Sequence, residues 1–373
     1  MGRCIPADML VGGVRMKMTI RWFGTGFDSI PLEHIRQIPG VRGVISTLYD
    51  KQAGEAWERS RIRALKDDAE RHGLELSGIE SVNVHDAIKA GLPERDRYID
   101  AYIATLSALG EEGVGMVCYN FMPVFDWTRS ALAKPRPDGA TVLSYDQEAI
   151  DSIDPERMFE RVDADSGGFA LPGWEPERMA RVRELFRLYE GVDDERLFAN
   201  LVYFLKAIMP TCERYGINMA IHPDDPAWPV FGLPRIVTGK ESLLRMLAAV
   251  SSPRNGVTLC TGSLGSNPAN DIPDAIRALK GRIHFAHVRN VVHRAPGKFD
   301  EAAHLSSDGS LDMYAIMKAL YDVGFNGPMR PDHGRAIWGE KAMPGYGLYD
   351  RALGAAYLNG LWEAISKSDE RAL

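Results

Sequence analysis

Four potential metal-binding side chains in the C-terminal half of the sequence each close a short strand-like run. The runs end in MAIHPDDP, TLCTGS, HFAHVRN and MRPDHGR, and the donors are His222, Cys260, His287 and Asp332. Imidazole, thiolate and carboxylate together suit manganese or ferrous iron better than magnesium, with zinc as an alternative. Because such metals accept further ligands, the four donors leave room for substrate oxygens. The set therefore predicts a catalytic metal centre.

A histidine directly follows the last of these donors. In RPDHGR, His333 lies beside Asp332, and Pro331 and Gly334 on either side favour a bend. The bend would let Asp332 face the metal while His333 turns toward the substrate. Histidine titrates near neutral pH, which suits acid or base catalysis. His333 is therefore a candidate proton-transfer residue.

The donors need a scaffold whose strand ends meet, and the chain alternates strand-like runs with helical patterns. Apolar residues recur at helical spacing from Met313 to Leu320, and Gly324 stops that helix. Eight such units predict an α/β fold, a (β/α)8 TIM barrel, with its active site at the carboxyl ends of the strands. No glycine-rich fingerprint follows the first run, which disfavours an open doubly wound sheet. The runs are Thr19–Phe23, Gly43–Thr47, Leu74–Glu80, Gly115–Asn120, Asn218–His222, Val257–Cys260, Ile283–Val288 and Gly327–Arg330.

Two segments depart from the regular alternation. Residues 1–17 precede the first run and are interpreted as an N-terminal extension, so that 18–373 form a single barrel domain. A long insertion, about 122–194, follows the fourth strand and contains DWTRS, KPRPDG and LPGWEPERM. Its length exceeds that of an ordinary loop. It would either fold over the mouth of the barrel or form a surface elaboration for contacts between subunits.

Composition and charge limit the class of protein. The chain has 373 residues, 45% of them hydrophobic, and a net charge of −7. The negative charge opposes nucleic acid as a partner and favours a small polar substrate. No apolar run reaches the roughly 18 residues of a membrane span, and the first residues lack the apolar core of a signal peptide. We therefore expect a cytoplasmic protein without a membrane partner.

Other histidines and cysteines have less specific patterns. His284 lies three residues before His287, so the two side chains should face opposite sides of the strand, and His284 should make a structural hydrogen bond. Cys118 and Cys212 fit small buried positions, since the four cysteines lack the paired spacing of a disulfide framework. His85 follows the third run and could reach the mouth of the barrel.

Long stretches of the sequence are similar to one enzyme family. Mannonate dehydratases of the xylose-isomerase-like barrel type closely resemble this chain in AIHPDDP, FGLPRIV, VTLCTGSLGSNPAND, RIHFAHVRN, HLSSDGSLDMY, RPDHGR and GYGLYDRALGAAYLNGLWEA. The resemblance extends to MTIRWFG, IRQIPGVRGVIS, RDRYID and CYNFMPVFDWTR, and so covers Met18 to about Lys367. The N-terminal extension is the departure from the family pattern.

The resemblance implies an activity and a set of roles. D-mannonate would lose water to give 2-dehydro-3-deoxy-D-gluconate, a step of hexuronate (glucuronate) catabolism, so the partner would be a small sugar acid. The four donors would hold Mn²⁺, or Fe²⁺ or another divalent metal. His333 and Tyr346, the latter in PGYGLYD, would transfer protons. Family and size also imply a homodimer.

Dehydration of an aldonate needs two proton-transfer groups, one to take the C2 proton and one to protonate the departing C3 hydroxide. Tyrosine, with a reference pKa of about 10, suits the acid, and histidine suits the base. We therefore expect Tyr346 to act as the acid and His333 as the base. A different orientation of the substrate would exchange the two roles.

Cationic and polar side chains near the donors are candidates for substrate binding. Arg289 follows the third donor by two residues and would bind the substrate carboxylate or a hydroxyl, or form a structural ion pair. Arg335, or Arg330 at the other end of RPDHGR, is an alternative cation. Asn120, which ends the fourth run, and Trp22, in the first, would contact the sugar chain or belong to the core or rim.

Other functions fit parts of the pattern. A metal-dependent sugar isomerase or epimerase would share the barrel and the metal position but would release no water. A barrel-type DNA-repair nuclease is opposed by the acidic charge, and it would gather several metals with more histidine and glutamate ligands. A sugar-acid binding protein would not need an acid and a base beside an open metal.

Overall fold

The computed structural model describes residues 16–154 and 181–370. Eight parallel strands close into a barrel, and a separate sheet of four strands lies outside it. The eight barrel strands follow one another around the barrel in chain order, which confirms the predicted (β/α)8 fold. The strands are β1 (Lys17–Arg21), β2 (Gly43–Ser46), β3 (Glu75–Glu80), β4 (Met116–Tyr119), β5 (Ala131–Pro135), β6 (Thr141–Asp146), β7 (Asn218–Ile221), β8 (Asn255–Cys260), β9 (Ile283–His287), β10 (Val291–Ala295), β11 (Lys298–Glu301) and β12 (Pro328–Arg330).

Amphipathic helices pack around the barrel. In the helix before β12, Asp312 caps the N-terminus by accepting a hydrogen bond from the Ala315 amide, the apolar face is buried, and Gly324 follows the end with a φ of +76°. No helix in 16–154 or 181–370 is long and apolar enough to cross a membrane. The helices are α1 (Leu32–Gln37), α2 (Arg59–Arg71), α3 (Asp86–Ala90), α4 (Arg95–Glu111), α5 (Gln147–Asp151), α6 (Val182–Leu188), α7 (Asp194–Tyr215), α8 (Lys240–Ala249), α9 (Thr261–Gly265), α10 (Ile272–Ala278), α11 (Met313–Asp322) and α12 (Leu348–Glu370).

The side-chain alternation of the strands separates the barrel interior from the helical layer. Phe285 faces the interior, and its ring packs edge-on against His287, with centroids 4.5 Å apart. The His284 side chain, on the opposite face of β9, instead forms a hydrogen bond through Nδ1 with the Met219 carbonyl at 2.8 Å. This is the structural hydrogen bond expected for it. The buried interior cluster consists of Ile45, Met116, Cys118, Ala220 and Phe285.

The four-stranded sheet joins two distant parts of the chain. Its order is β10, β11, β6, β5, and β6 pairs antiparallel with β11. β5 and β6 belong to the predicted insertion, whereas residues 155–180, which include LPGWEPERM, lie outside the described residues. The hairpin β10–β11 was not predicted. The sequence feature that could have indicated this hairpin is the Pro-Gly turn between two short β-rich runs, where Gly297 has a φ of +70°.

The start of the barrel differs slightly from the prediction. β1 begins at Lys17, which pairs with Pro328, and ends at Arg21, which pairs with Ile45. The predicted first run is therefore displaced by two residues, and Lys17 belongs to the barrel rather than to the N-terminal extension. Residues 1–15 lie outside the described part of the chain.

Candidate metal centre and active site

The four predicted donors meet at the carboxyl ends of β7, β8, β9 and β12. Nε2 of His222 lies 3.1 Å from Nδ1 of His287. One oxygen of Asp332 lies 3.7 Å from the same Nδ1, and the other lies 3.6 Å from Sγ of Cys260. Ligand atoms bound about 2.0–2.3 Å from one ion lie roughly 3–4 Å apart. The ligand atoms of His222, Cys260 and His287 lie within 4.8 Å of one another and fit a single divalent metal, with Asp332 beside them.

Barrel register explains this convergence. Cys260 of β8 pairs with His287 of β9, and Arg330 of β12 pairs with the other side of His287. His222 directly follows β7, and Asp332 follows β12 by two residues. Asp332 has a φ of +61°, a left-handed conformation that aspartate tolerates better than most residues. This bend brings its carboxylate to the other donors.

Neighbouring groups orient the ligands. Nδ1 of His222 donates to the Pro223 carbonyl at 2.7 Å, which leaves Nε2 available to a metal. Sγ of Cys260 accepts hydrogen bonds from the backbone amide of Ser263 at 3.4 Å and from its hydroxyl at 3.0 Å. These two hydrogen bonds fix the orientation of the sulfur toward the other donors.

Two arginines hold Asp332 in its charged form. Oδ1 lies 2.8 Å from Nη2 of Arg330, and Oδ2 lies 2.6 Å from Nε of Arg289. Burial opposes ionisation of Asp332, but the surrounding positive charges, with Arg330 foremost, lower its pKa well below the ordinary value. The carboxylate is therefore held in its anionic form between the two guanidinium groups.

A second group of potential ligands shares His287. Glu80, Cys118 and His287 also bring their donor atoms within 4.8 Å of one another. Glu80 and Asp332 are both paired with Arg330, at 2.9 and 2.8 Å, so this arginine does not distinguish the two groups. Burial raises the pKa of the Cys118 thiol well above its ordinary value, which disfavours the thiolate. The group of His222, Cys260 and His287 is therefore the better metal site.

The two predicted proton-transfer residues are in contact. Nε2 of His333 lies 3.2 Å from the Tyr346 hydroxyl, and Nδ1 lies 3.2 Å from Oε1 of Glu301. Burial raises the pKa of Tyr346 to about 12, despite the opposing effect of Arg330. Tyr346 therefore keeps its proton near neutral pH. The arrangement places an imidazole between a carboxylate and a phenol, as in a proton relay.

A group of buried charges lies beside this pair, and we call it the buried ion-pair cluster: Arg129, Asp225, Arg289 and Glu301. Of these four residues, only Arg289 was selected from the sequence, where a structural ion pair was one of its two expected roles. Arg129 contacts Asp225 at 2.8 Å and Glu301 at 2.7 Å. Arg289 contacts Asp225 at 2.8 Å and Glu301 at 2.7 Å. Burial would raise the pKa of Glu301, but the two arginines lower it to about 2.

Some of the predicted substrate-binding residues lie at the mouth of the barrel and others lie elsewhere. A cleft at the carboxyl ends of the strands, the mouth cleft, is lined by Arg21, Glu80, Asn120, His222, Arg330 and Tyr346, among other residues. Arg289, Trp22 and Arg335 are not among the described residues that line it. Arg289 lies in the buried ion-pair cluster, so the structure favours the ion pair over substrate contact. Trp22 is 3% exposed in the core, and Arg335 pairs with Asp350 at 2.9 Å. The arginine that reaches the cleft from RPDHGR is Arg330.

The less specific candidates also have defined positions. His85 lines the mouth cleft and stacks on Tyr98, with centroids 3.6 Å apart. Cys118 and Cys212 are buried, as expected. Arg21, which sequence reasoning did not select, lines the cleft at the end of β1. Strand alternation is the sequence feature that could have indicated it, because the adjacent side chains of Arg21 and Trp22 point to opposite faces.

Comparisons with known proteins agree with the resemblance. A family model described as D-mannonate dehydratase (UxuA) matches residues 16–372. A mannonate dehydratase of Brachyspira hyodysenteriae is 70% identical over 352 residues, which cover 94% of this chain and 99% of that protein. A crystal structure of mannonate dehydratase from Streptococcus suis serotype 2 has a TM-score of 0.86 and 45% identity, covering 95% and 96% of the two chains. A xylose isomerase domain protein from Planctomyces limnophilus, at 13% identity and a TM-score of 0.53 over 95% and 99%, shares the fold. The chain therefore belongs to the D-mannonate dehydratase family.

Proposed function

We propose that this chain removes water from D-mannonate to give 2-dehydro-3-deoxy-D-gluconate, as a metal-dependent hydro-lyase of glucuronate catabolism. The main support, besides family membership, is the contact between His333 and Tyr346 in the cleft that His222 and Asp332 also line. A metal centre and an acid–base pair at one cleft are what an elimination from an aldonate requires.

His222, Cys260, His287 and Asp332 would hold the metal, which we propose to be Mn²⁺ or Fe²⁺. When bound, such an ion supplies electrophilic stabilisation of the negative charge that develops as C2 loses its proton.

The acid–base pair supplies the proton transfers. His333 takes the C2 proton through Nε2, and the electrons of the broken C–H bond form the C2–C3 double bond. Tyr346 donates its hydroxyl proton to the departing C3 hydroxyl, so that water leaves as the C3–O bond breaks. The resulting enol gains a proton at C3 and loses one from its 2-hydroxyl, which gives the 2-keto acid.

The same pair can return to its starting state without external protons. After elimination, His333 carries one extra proton and Tyr346 lacks one. The 3.2 Å separation between Nε2 and the phenolic oxygen allows direct transfer back to Tyr346. The high pKa of Tyr346, about 12, drives this transfer. We therefore assign Tyr346 as the acid and His333 as the base.

Arg330 and Arg21 are our candidates for the substrate carboxylate. Both line the mouth cleft. Nη1 of Arg21 and both Nε and Nη1 of Arg330 have no hydrogen-bond partner among the described residues. Buried donors of this kind are expected to meet a ligand oxygen. Asn120, in the same cleft, would contact a hydroxyl of the sugar chain.

Replacing Arg330 with lysine should raise KM for D-mannonate by about tenfold, because an ammonium group cannot reproduce the planar guanidinium fork. Steady-state kinetics at saturating Mn²⁺ would measure the change. Arg335→Lys is the matched control, since Arg335 lies at the other end of RPDHGR but bonds to Asp350. Equal KM changes in the two variants would contradict a direct role for Arg330 in substrate binding.

The activity itself is tested with purified, chelator-stripped protein and D-mannonate, with and without Mn²⁺ or Fe²⁺. We expect 2-dehydro-3-deoxy-D-gluconate only in the presence of metal. An isomerised or epimerised sugar acid of unchanged mass would instead support the isomerase alternative. Lack of any product with several divalent metals would contradict the proposed reaction.

Three properties stay predictions from the sequence. We propose that the chain forms a homodimer and is cytoplasmic. We also propose that it divides into an N-terminal extension, 1–17, and one barrel domain, 18–373, except that Lys17 belongs to the first strand. The proposed dimer is tested by light scattering of the purified chain.

A further inference from the structure

His333 is held from two sides. Its Nε2 lies 3.2 Å from the Tyr346 hydroxyl, and its Nδ1 lies 3.2 Å from Oε1 of Glu301. Glu301 is the last residue of β11, in the sheet outside the barrel. It is 1% exposed and is not among the described residues that line the mouth cleft. Glu301 therefore reaches the chemistry through His333 rather than through the substrate.

We propose that Glu301 is a positioning residue that fixes the ring orientation and tautomer of His333. Its carboxylate accepts the Nδ1 proton, which leaves the Nε2 lone pair directed at Tyr346 and the substrate. An imidazole with the opposite tautomer would present an N–H group there and could not take a proton. The inference rests on the proposed function, because it assigns a purpose to the orientation of the base.

The buried ion-pair cluster keeps Glu301 in place and charged. Nη1 of Arg289 donates to both oxygens of Glu301, at 2.8 and 2.7 Å, and Nη2 of Arg129 donates to Oε1 at 2.7 Å. Asp225 holds both arginines from the other side. With three hydrogen bonds from the two arginines on its two oxygens, the carboxylate has little freedom to rotate away from His333.

Through these contacts the segment after β4 also helps to position the proposed base. Arg129 lies in that segment, and its side chain is completely buried between Asp225 and Glu301. Trp127, two residues earlier, packs edge-on against the His333 ring, with centroids 5.9 Å apart. The segment therefore braces the base both by ring packing and through Glu301.

The test compares Glu301→Gln with Asp300→Asn in the Mn²⁺-loaded enzyme. Asp300 is the neighbouring buried carboxylate of β11 and is also paired with cations, but its partners Lys134 and Arg294 are not among the described contacts of His333. Glu301→Gln should lower kcat at least about tenfold, with KM and Mn²⁺ affinity within about threefold of wild type. Asp300→Asn should leave kcat unchanged, although its melting temperature should fall.

A double-mutant cycle separates positioning from general damage. If Glu301 acts through His333, then Glu301→Gln should lower kcat no further when it is added to His333→Asn. Glu301→Asp, which keeps the charge opposite Arg129 and Arg289 but shortens the reach to His333, gives a second test should the glutamine variant fail to fold. It should also lower kcat without loss of metal.

Three results would overturn the inference: unchanged kcat in folded Glu301 variants, an equal loss in Asp300→Asn, or a full additional loss in the His333→Asn background. Failure of the proposed function is recognised separately, because the wild-type enzyme with Mn²⁺ would then form no 2-dehydro-3-deoxy-D-gluconate.

Discussion

Replacing Tyr346 with phenylalanine should lower kcat for D-mannonate by about a thousandfold, because the departing hydroxide loses its proton donor. KM and Mn²⁺ affinity should stay within about threefold of wild type. The phenyl ring can keep its edge-on packing against Phe23, whose centroid lies 4.9 Å away, so the fold should survive. Steady-state formation of 2-dehydro-3-deoxy-D-gluconate and a Mn²⁺ titration of the same preparation measure both effects.

Tyr349→Phe provides the control for this substitution. Tyr349 lies three residues further along the chain and is 44% exposed, so loss of its hydroxyl should leave kcat unchanged. Unchanged turnover in Tyr346→Phe would remove Tyr346 from the mechanism. A parallel loss of metal binding would assign it a structural role instead of proton transfer.

Replacing Cys260 with serine should weaken Mn²⁺ binding by about a thousandfold, because a charged thiolate ligand becomes a neutral hydroxyl. Turnover should disappear at micromolar metal and return in part at much higher concentrations. Isothermal titration calorimetry of the chelator-stripped variant would give the affinity directly, independent of activity.

Cys118→Ser tests the competing ligand group. Cys118 is also a buried barrel cysteine, but it belongs to the set with Glu80, and its sulfur lies 3.2 Å from the Thr258 hydroxyl. We expect this variant to bind Mn²⁺ within about threefold of wild type. Loss of metal in Cys118→Ser with retention in Cys260→Ser would move the ion to Glu80, Cys118 and His287.

Much of the site follows from residue type and strand alternation. A parallel barrel brings the carboxyl ends of all its strands to one rim, so donors at four strand ends must become neighbours whatever the loops do. This is why His222, Cys260, His287 and Asp332 could be predicted together. Strand alternation likewise separated His284 from His287, because successive side chains point to opposite faces.

The same alternation of side chains favours Arg21 over Trp22 as the residue at the mouth of the barrel. Trp22 was selected on the first strand for its chemistry, but Arg21 has the orientation that faces the mouth cleft. The sheet that carries Glu301 was harder to predict. β11 pairs with β6, where Phe299 lies opposite Tyr145, and short segments so far apart in sequence carry no mark of their pairing.

The amino-acid sequence by itself was enough to predict the barrel and to propose the donor set and the acid–base pair, because these depend on local periodicity and residue chemistry. Only the tertiary structure decided which charges line the mouth cleft. Arg289 and Arg330 each lie two residues from a donor in sequence, yet Arg289 is bound by Asp225 and Glu301 while Arg330 reaches the cleft. Arg129 meets Glu301 across 172 residues of chain. The partners of long, flexible side chains depend on three-dimensional proximity and on burial, and neither property can be predicted from spacing along the chain.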